Sequence, residues 1–349
     1  MPKKLLVVRQ DKLGDFMLTL PAFALLKKAL PDTEIHALIS PMVLEIAREL
    51  PAIDEVLLDP GEAADWATQR AFFRELRQHR FDAAVTLFST SRIGFFLFAA
   101  RVPYRLAPAT KIAQLFHNRR LVQRRSQSRK SEWQYNLDLS RRCLEDHAIV
   151  PPTAASPPFL SFPADEREAL RVSFCRERGL DPKGKLVFLH PGSGGSAANL
   201  APDQFATLLR ELHQRSTIQT VVSAGPGEEP IAERVAVALE GLPNTVYKSQ
   251  QGLARFARHL DLADLFISGS TGPLHIAGAL DRPTAAFYPR RRSASPLRWQ
   301  TLNRPERRLA FTPPENEDER AMHTIDLPAA AQTIAAQWLG GSVQGQASD

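Results

Sequence analysis

The sequence predicts an α/β protein of two doubly wound domains, each a parallel sheet with helices on both faces. Three observations carry this. Short, almost unbroken apolar runs alternate with longer stretches of helical periodicity, the pattern of strands that crossover helices bury on both sides. The alternation then stops and starts again, and between the two runs lies Pro151-Pro-Thr-Ala-Ala-Ser-Pro-Pro158, where proline blocks helix continuation and central sheet pairing alike. The length, 349 residues, also exceeds what one small core holds. The predicted units are 1–158 and 159–326, with a closing helix at 327–339 and a disordered tail at 340–349.

In the first unit, residues 4–8 read as a buried strand and 21–30 as an amphipathic helix with Leu25, Leu26 and Ala29 on one side. Residues 34–39 form the second strand, 42–50 a helix, 55–58 a strand, 63–79 a helix and 82–88 a strand. In the second unit a charged helix runs from Pro163 to about residue 178. Strand 185–190, helix 203–215, strand 218–223 and helix 228–240 follow, then a strand running into a helix over 264–280 and a strand at 284–288. Ligands of such sheets lie beyond the carboxyl ends of the strands, so both domains are expected to aim those ends at a shared central cleft.

With 44% hydrophobic and 23% charged residues, the composition is that of a soluble globular protein. The best apolar run, 95–100, is far below the roughly 20 residues of a membrane-spanning helix. Arg9, Asp11 and Lys12 cut the amino-terminal apolar run well short of a signal peptide, which predicts a cytoplasmic chain. Cys143 and Cys175 fit no disulfide framework or zinc spacing and read as small buried hydrophobes. The nine histidines show no H-E-x-x-H or comparable sequence motif, so no metal is expected.

Net charge is +6, and it is concentrated: Arg119, Arg120, Arg124, Arg125, Arg129 and Lys130 fall within twelve residues. Stacking aromatics are too few nearby for a nucleic-acid surface, so no nucleic-acid partner is expected. Anionic lipid or a phosphorylated glycan fits better, and a solvated basic loop is the alternative.

Four segments carry candidate chemistry. From Asp264 to Leu280 a buried strand enters a small-residue turn and then a helix; Gly269 and Gly272 permit close backbone approach, Ser270 and Thr271 add hydroxyls, and the helix opening at Pro273 presents unpaired N–H groups to an anion. After the first strand, Asp15 sits at a strand end, where an ionised carboxylate can take a proton from a sugar hydroxyl; capping the next helix or balancing Lys12 and Arg9 is the alternative. The loop His190-Pro-Gly-Ser-Gly-Gly-Ser-Ala-Ala-Asn199 matches a loose dinucleotide fingerprint through Gly192, Gly194 and Ala197, but its helix starts too late for a dehydrogenase, leaving a loop that touches phosphate or ribose. Glu228 or Glu229, after the strand at 218–223, is a candidate to accept from a ribose hydroxyl; favouring the first turn of the next helix is the alternative.

Taken in order, the Gly14-Asp15 turn, the His190 loop, Gly225-Pro-Gly-Glu-Glu229, and Ser270-Thr-Gly-Pro-Leu-His275 followed by Pro296-Leu-Arg-Trp299 resemble glycosyltransferase family 9, the ADP-heptose:lipopolysaccharide heptosyltransferases. The resemblance spans about residues 3–339 and implies a GT-B fold of two Rossmann-like domains. It further implies metal-independent, inverting transfer of heptose from ADP-heptose to a lipopolysaccharide core acceptor on lipid A, with no cofactor. By the same resemblance Asp15 is the general base. The donor is held by Gly192, Ser193, Asn199, Glu228, Ser270, Thr271, Gly272, Pro273 and His275, and the acceptor by Arg9, Lys12, Arg119, Arg120 and Arg124. The basic 119–130 segment is then expected to dock the protein peripherally, without insertion, on the inner leaflet of the inner membrane or on the phosphates and acidic sugars of the acceptor. Two positions depart from the family pattern: Ala198 and Asn199 lack the usual phosphate-facing cation, and Ser270 stands where many members have Asp. Arg290, Arg291 or Arg292 is expected to supply the missing charge.

Overall fold

The computed structural model describes residues 2–110, 112–193 and 198–340. The chain divides into two compact units, Met1–Phe159 and Leu160–Asp349. In the first, β1 (Lys4–Arg9), α1 (Leu13–Met17), α2 (Leu20–Ala29), β2 (Glu34–Ile39), α3 (Leu44–Ala47), β3 (Glu55–Leu58), α4 (Trp66–Gln78), β4 (Ala83–Thr86), α5 (Ser91–Ala99), β5 (Tyr104–Pro108), β6 (Arg119–Leu121) and α6 (Glu132–Asp146) follow one another. Among the described residues the six strands pair in the order β3-β2-β1-β4-β5-β6, all parallel. Central β1 is sealed on both faces, and Leu5 to Val8 are wholly buried.

The second unit holds α7 (Ala164–Glu177), β7 (Lys185–His190), α8 (Pro202–Arg215), β8 (Ile218–Ala224), α9 (Glu229–Val237), β9 (Asn244–Lys248), α10 (Leu253–Leu260), β10 (Leu265–Gly269), α11 (Gly272–Ala279), β11 (Thr284–Phe287), β12 (Arg308–Phe311) and α12 (Leu327–Ile334). Its described strands run β12-β11-β10-β7-β8-β9, again all parallel. Each sheet therefore has the same strand order within its own unit. The order reverses between β1 and β4, and between β7 and β10, which is where doubly wound sheets open a ligand crevice.

Local chemistry explains several boundaries. Asp65 caps α4 by accepting from the Thr68 N–H at 2.8 Å. At the amino ends of the sheets, Asp54, Asp82 and Asp264 accept from the N–H groups of Ile35, Lys3 and Leu186 at 2.7, 2.7 and 2.8 Å, satisfying backbone donors there. The closing helix is shared between α12 and one wider turn, Ala335–Leu339, and Gly340 ends it at φ 72°. Leu327, Ala331 and Ile334 bury against the core that includes Leu208 and Leu212 of α8. Each large side chain so buried contributes about 1.5–3 kcal/mol.

Differences from the sequence expectations have physical causes. The helix expected over 42–50 contracts to a single turn at Pro41–Val43 followed by α3, ending before Pro51. Elements α5, β5, β6, α6, β9, α10 and β12 went unread. Of these, β6 is only Arg-Arg-Leu and β9 and β12 are sheet edges, so none carries an apolar run. Gly194 and Ala197 of the loose glycine pattern lie outside the described residues, as does the expected tail beyond Gly340. Cys143 and Cys175 are buried, as expected of small hydrophobes. No described helix is long and apolar enough to cross a membrane.

Candidate functional site

In the first unit the chain leaves β1 at Arg9 and turns into the short helix α1, which places Asp15 in its first turn beside the β1–β4 switch point. Arg9, 2% exposed, is the hub. Its Nη2 donates to Asp15, its Nε to Asp11 at 2.7 Å, and its Nη1 to Glu132 at 2.9 Å and to Asn136 at 3.4 Å. Glu132 also accepts from Arg125 Nη1 at 2.5 Å, and Asn136 Nδ2 donates to the Leu18 carbonyl at 3.0 Å. Two guanidinium groups thus face three carboxylates. Burial disfavours the charged form of Asp15 and, with Asp11 and Glu132 adding repulsion against the pull of Arg9, pushes its pKa up to about 6. Burial by itself would lower Arg9, but the surrounding carboxylates more than offset it and hold Arg9 above its ordinary value. The result is a carboxylate fixed in direction and tuned toward neutral pH, as a general base requires.

Two expectations for this unit are corrected. Arg9 directs all three guanidinium nitrogens to protein partners, so it orients Asp15 and is not open to an acceptor. Arg125 likewise turns inward onto Glu132, leaving Arg119, Arg120, Arg124 and Arg129 exposed, with Lys130 paired to Asp138 at 2.7 Å. Lys12 is exposed beside the α1 turn. Glu132 and Asn136 were missed. Their signal was present: they sit four residues apart on the face of α6 that buries Leu139 and Cys143, and a charge on an apolar stripe marks a partner.

In the second unit, β7, β8 and β10 all end in small-residue turns. Gly192 lets the backbone pass directly over Glu228, whose carboxyl group a Cβ at 192 would strike. Glu228 accepts from the Gly225 N–H at 3.1 Å and lies 3.2 Å from His190 Nε2. Ser223 Oγ donates to the Leu189 carbonyl at 3.1 Å and lies 3.1 Å from His190 Nδ1. Gly269 approaches the Asn199 amide just as closely. Asn199 donates to the Pro191 carbonyl at 3.0 Å and accepts from the Leu200 N–H at 2.9 Å, so it clasps the loop and seats it on β10.

Helix α11 opens at Thr271 with no capping side chain, and Pro273 occupies its first turn. Thr271 Oγ1 and His275 Nδ1 are buried without a hydrogen-bond partner among the described residues. Thr271 is the residue at which the helix opens and His275 follows in its first turn. Burial pushes the His275 pKa down to about 4, so its ring is neutral at pH 7. Unpaired helix-start N–H groups with two orphaned polar side chains form a site for an oxyanion or a sugar hydroxyl. Ser270 is partly exposed at its rim. Of the three arginines expected nearby, Arg290 is bound to the carbonyls of Glu315 and Glu317 at 3.1 and 2.6 Å, which removes it as the compensating charge; Arg291 and Arg292 are exposed.

One described group brings three metal-ligating side chains together: His36, Glu55 and His79, with ligand atoms within 4.8 Å of one another. It lies toward the amino ends of β2 and β3, at the other end of the sheet from Asp15, and the His36 nitrogens face Glu34 at 3.3 Å and Glu55 at 3.1 Å. Neither candidate site uses it.

Two doubly wound sheets in one chain, each with its candidate residues at the switch point, make the two Rossmann-like units of the GT-B fold. The sequence profile of glycosyltransferase family 9 (heptosyltransferase) matches residues 69–323, and the chain belongs to that family. A Haemophilus influenzae protein, named only provisionally as a glycosyltransferase, is 40% identical over 318 residues, covering 91% of each chain. Lipopolysaccharide heptosyltransferase 2 of Salmonella typhimurium is 21% identical over 82% of each. Among solved structures, E. coli ADP-heptose lipopolysaccharide heptosyltransferase II superposes with a TM-score of 0.77 at 17% identity, covering 96% of this chain and 98% of its own. An E. coli heptosyltransferase solved with ADP gives 0.73 at 19% identity, covering 96% and 99%.

Proposed function

We propose that this family 9 enzyme moves a heptose from ADP-heptose to a sugar hydroxyl of a lipopolysaccharide core carried on lipid A, with inversion and without a metal or other cofactor. The first unit receives the acceptor and the second the donor. Asp15 takes the proton of the acceptor hydroxyl as that oxygen bonds to the anomeric carbon; the bond from that carbon to the diphosphate oxygen breaks, and ADP leaves with the electron pair. The observation that carries this reading is Asp15 itself, aimed by buried Arg9 and raised to about 6. In the second unit, the start of α11 with Thr271 and His275 receives the leaving diphosphate, and Glu228 lies where a ribose hydroxyl is expected. Exposed Lys12 faces acidic groups of the acceptor, and Arg119, Arg120 and Arg124 hold the protein at the inner leaflet.

A second reading has its own support. The 40% identical relative carries no named donor, whereas the named heptosyltransferases are 20–25% identical, so the same chemistry with a different nucleotide sugar is the competing assignment. One set of assays decides between them. ADP release is followed with ADP-heptose and a truncated core acceptor for the wild type and Asp15→Asn, and ADP, UDP and GDP are compared by thermal shift. Turnover by Asp15→Asn is expected to fall about 100-fold or more with ADP binding intact. Turnover within a few-fold of wild type removes Asp15 as the base; a larger shift with UDP or GDP than with ADP replaces the donor.

A further inference from the structure

The first unit exposes five large apolar side chains on neighbouring elements. Trp66 on α4, Phe95 and Phe98 on α5, and Ile112 and Leu115 in the turn after β5 are 73%, 48%, 53%, 70% and 72% exposed. They are not scattered. Phe95 and Phe98 both meet Phe116, with ring centroids 5.8 and 6.3 Å apart, and Phe95 meets Phe96 at 6.1 Å. Phe96 in turn meets Phe73 of α4 at 5.6 Å. Between α4 and α5 this ring chain lines an open groove of about 300 Å³ bordered by Trp66, Phe73 and Phe95. Contiguous exposed apolar surface of this kind marks an interaction site.

Charge narrows the occupant to an anionic one. Residues 83–131 contain ten Lys and Arg and not one Asp or Glu. The guanidinium groups of Arg70 and Arg105 lie over the Trp66 and Phe98 rings at 5.2 and 5.5 Å, so cations and aromatics form one surface. Aromatic rings beside arginines, with acids absent from residues 83–131 and only Asp65 and Glu75 near the groove on α4, complement the interface of an anionic bilayer, where rings enter the boundary below the headgroups and cations pair with the phosphates. The turn bearing Ile112 and Leu115 follows the carboxyl end of β5, and α5 follows that of β4, so the patch borders the Asp15 end of the sheet.

We infer that the Trp66, Phe95, Phe98, Ile112 and Leu115 face of the first unit inserts its side chains shallowly into the surface of an anionic phospholipid bilayer. This departs from purely electrostatic docking through residues 119–130. It rests on the glycosyltransferase reading only in preferring a bilayer to an acidic protein, since a lipid A-linked acceptor is membrane-borne.

The test uses the full chain and vesicles without any glycolipid, so it stands or falls apart from the sugar chemistry. Co-sedimentation is measured with vesicles of phosphatidylcholine and phosphatidylglycerol in equal parts, and with phosphatidylcholine alone, at low and high salt. The wild type is expected to bind the anionic vesicles, to keep part of that binding at high salt, and to show a blue shift in tryptophan emission. Phe95→Ser with Phe98→Ser, and separately Ile112→Ser with Leu115→Ser, each lower the partition coefficient about tenfold or more while melting as the wild type does. Absence of vesicle binding, or unchanged binding by both variants, overturns the inference. So does a wild-type dimer in sedimentation velocity that the same variants dissociate while vesicles bind neither form, because the face then pairs copies of this chain.

Discussion

Asp15→Asn probes the site through stability as well as rate. The folded Asp15 carboxyl group titrates at about 6, against 3.8 for a free aspartate, because burial penalises its charge more than Arg9 compensates. Its folded pKa lies above its unfolded one, so between those values the folded chain holds a proton that the unfolded chain has released. Stability contributed by this group is therefore lost as pH rises through that window and is level above it. At about 1.4 kcal/mol per pH unit of separation, the loss is about 3 kcal/mol. Asparagine has no charge to bury and does not titrate. Urea denaturation of the two proteins over a pH series exposes the effect, since titrating groups away from the Arg9 cluster contribute nearly equally to both and cancel in the difference. The variant is expected to gain on the wild type by up to about 3 kcal/mol between roughly pH 4 and 7, then run parallel to it. Over the acid half of that range, wild-type kcat/KM falls as the base is protonated. A stability difference that is flat with pH, or that shrinks as pH rises, refutes the account of Asp15 as a carboxylate held against its own desolvation.

Glu132→Gln removes one of three carboxylates around Arg9 and Arg125; it is expected to lower the pKa of Asp15, moving the acid limb of kcat/KM to lower pH, and to cost about 3–5 kcal/mol in urea denaturation. An acid limb that stays in place or moves upward refutes the coupling. Gly192→Ala sets a methyl group against the Glu228 carboxyl group and is expected to weaken ADP binding roughly tenfold by calorimetry, with unchanged affinity showing that the Gly192–Glu228 approach does not serve the nucleotide.

The parts of the fold legible in the sequence are those whose signal is local. Strand β7 occupies the expected residues because Leu186 to Leu189 are apolar on both faces, and β10 ran visibly into a glycine turn. The edge strands β6, β9 and β12 gave no such signal, because solvent on one flank frees their composition. Similarly, α5 showed only its apolar run, since its outward Phe95 and Phe98 hide the polar face that would mark a helix. In the candidate site, Asp15, Glu228 and Thr271 stood out because each follows a strand end. Arg9 was misjudged for a related reason. An arginine after a buried strand reads as a cleft cation until its partners are known.

Hydrophobic period, proline and glycine chemistry act over a few residues, and they determined two doubly wound units, the linker between them and the turns that carry Asp15 and Thr271. Tertiary structure alone decided what those residues can do. Docking α6 brings Glu132 to Arg9 across 123 positions, which buries the guanidinium and so sets the charge balance felt by Asp15. The packing of α4 and α5 likewise gathers Trp66 and Phe95 on one exposed face. Desolvation and pairing depend on which distant segments displace water from a group, and no local window of sequence contains that information.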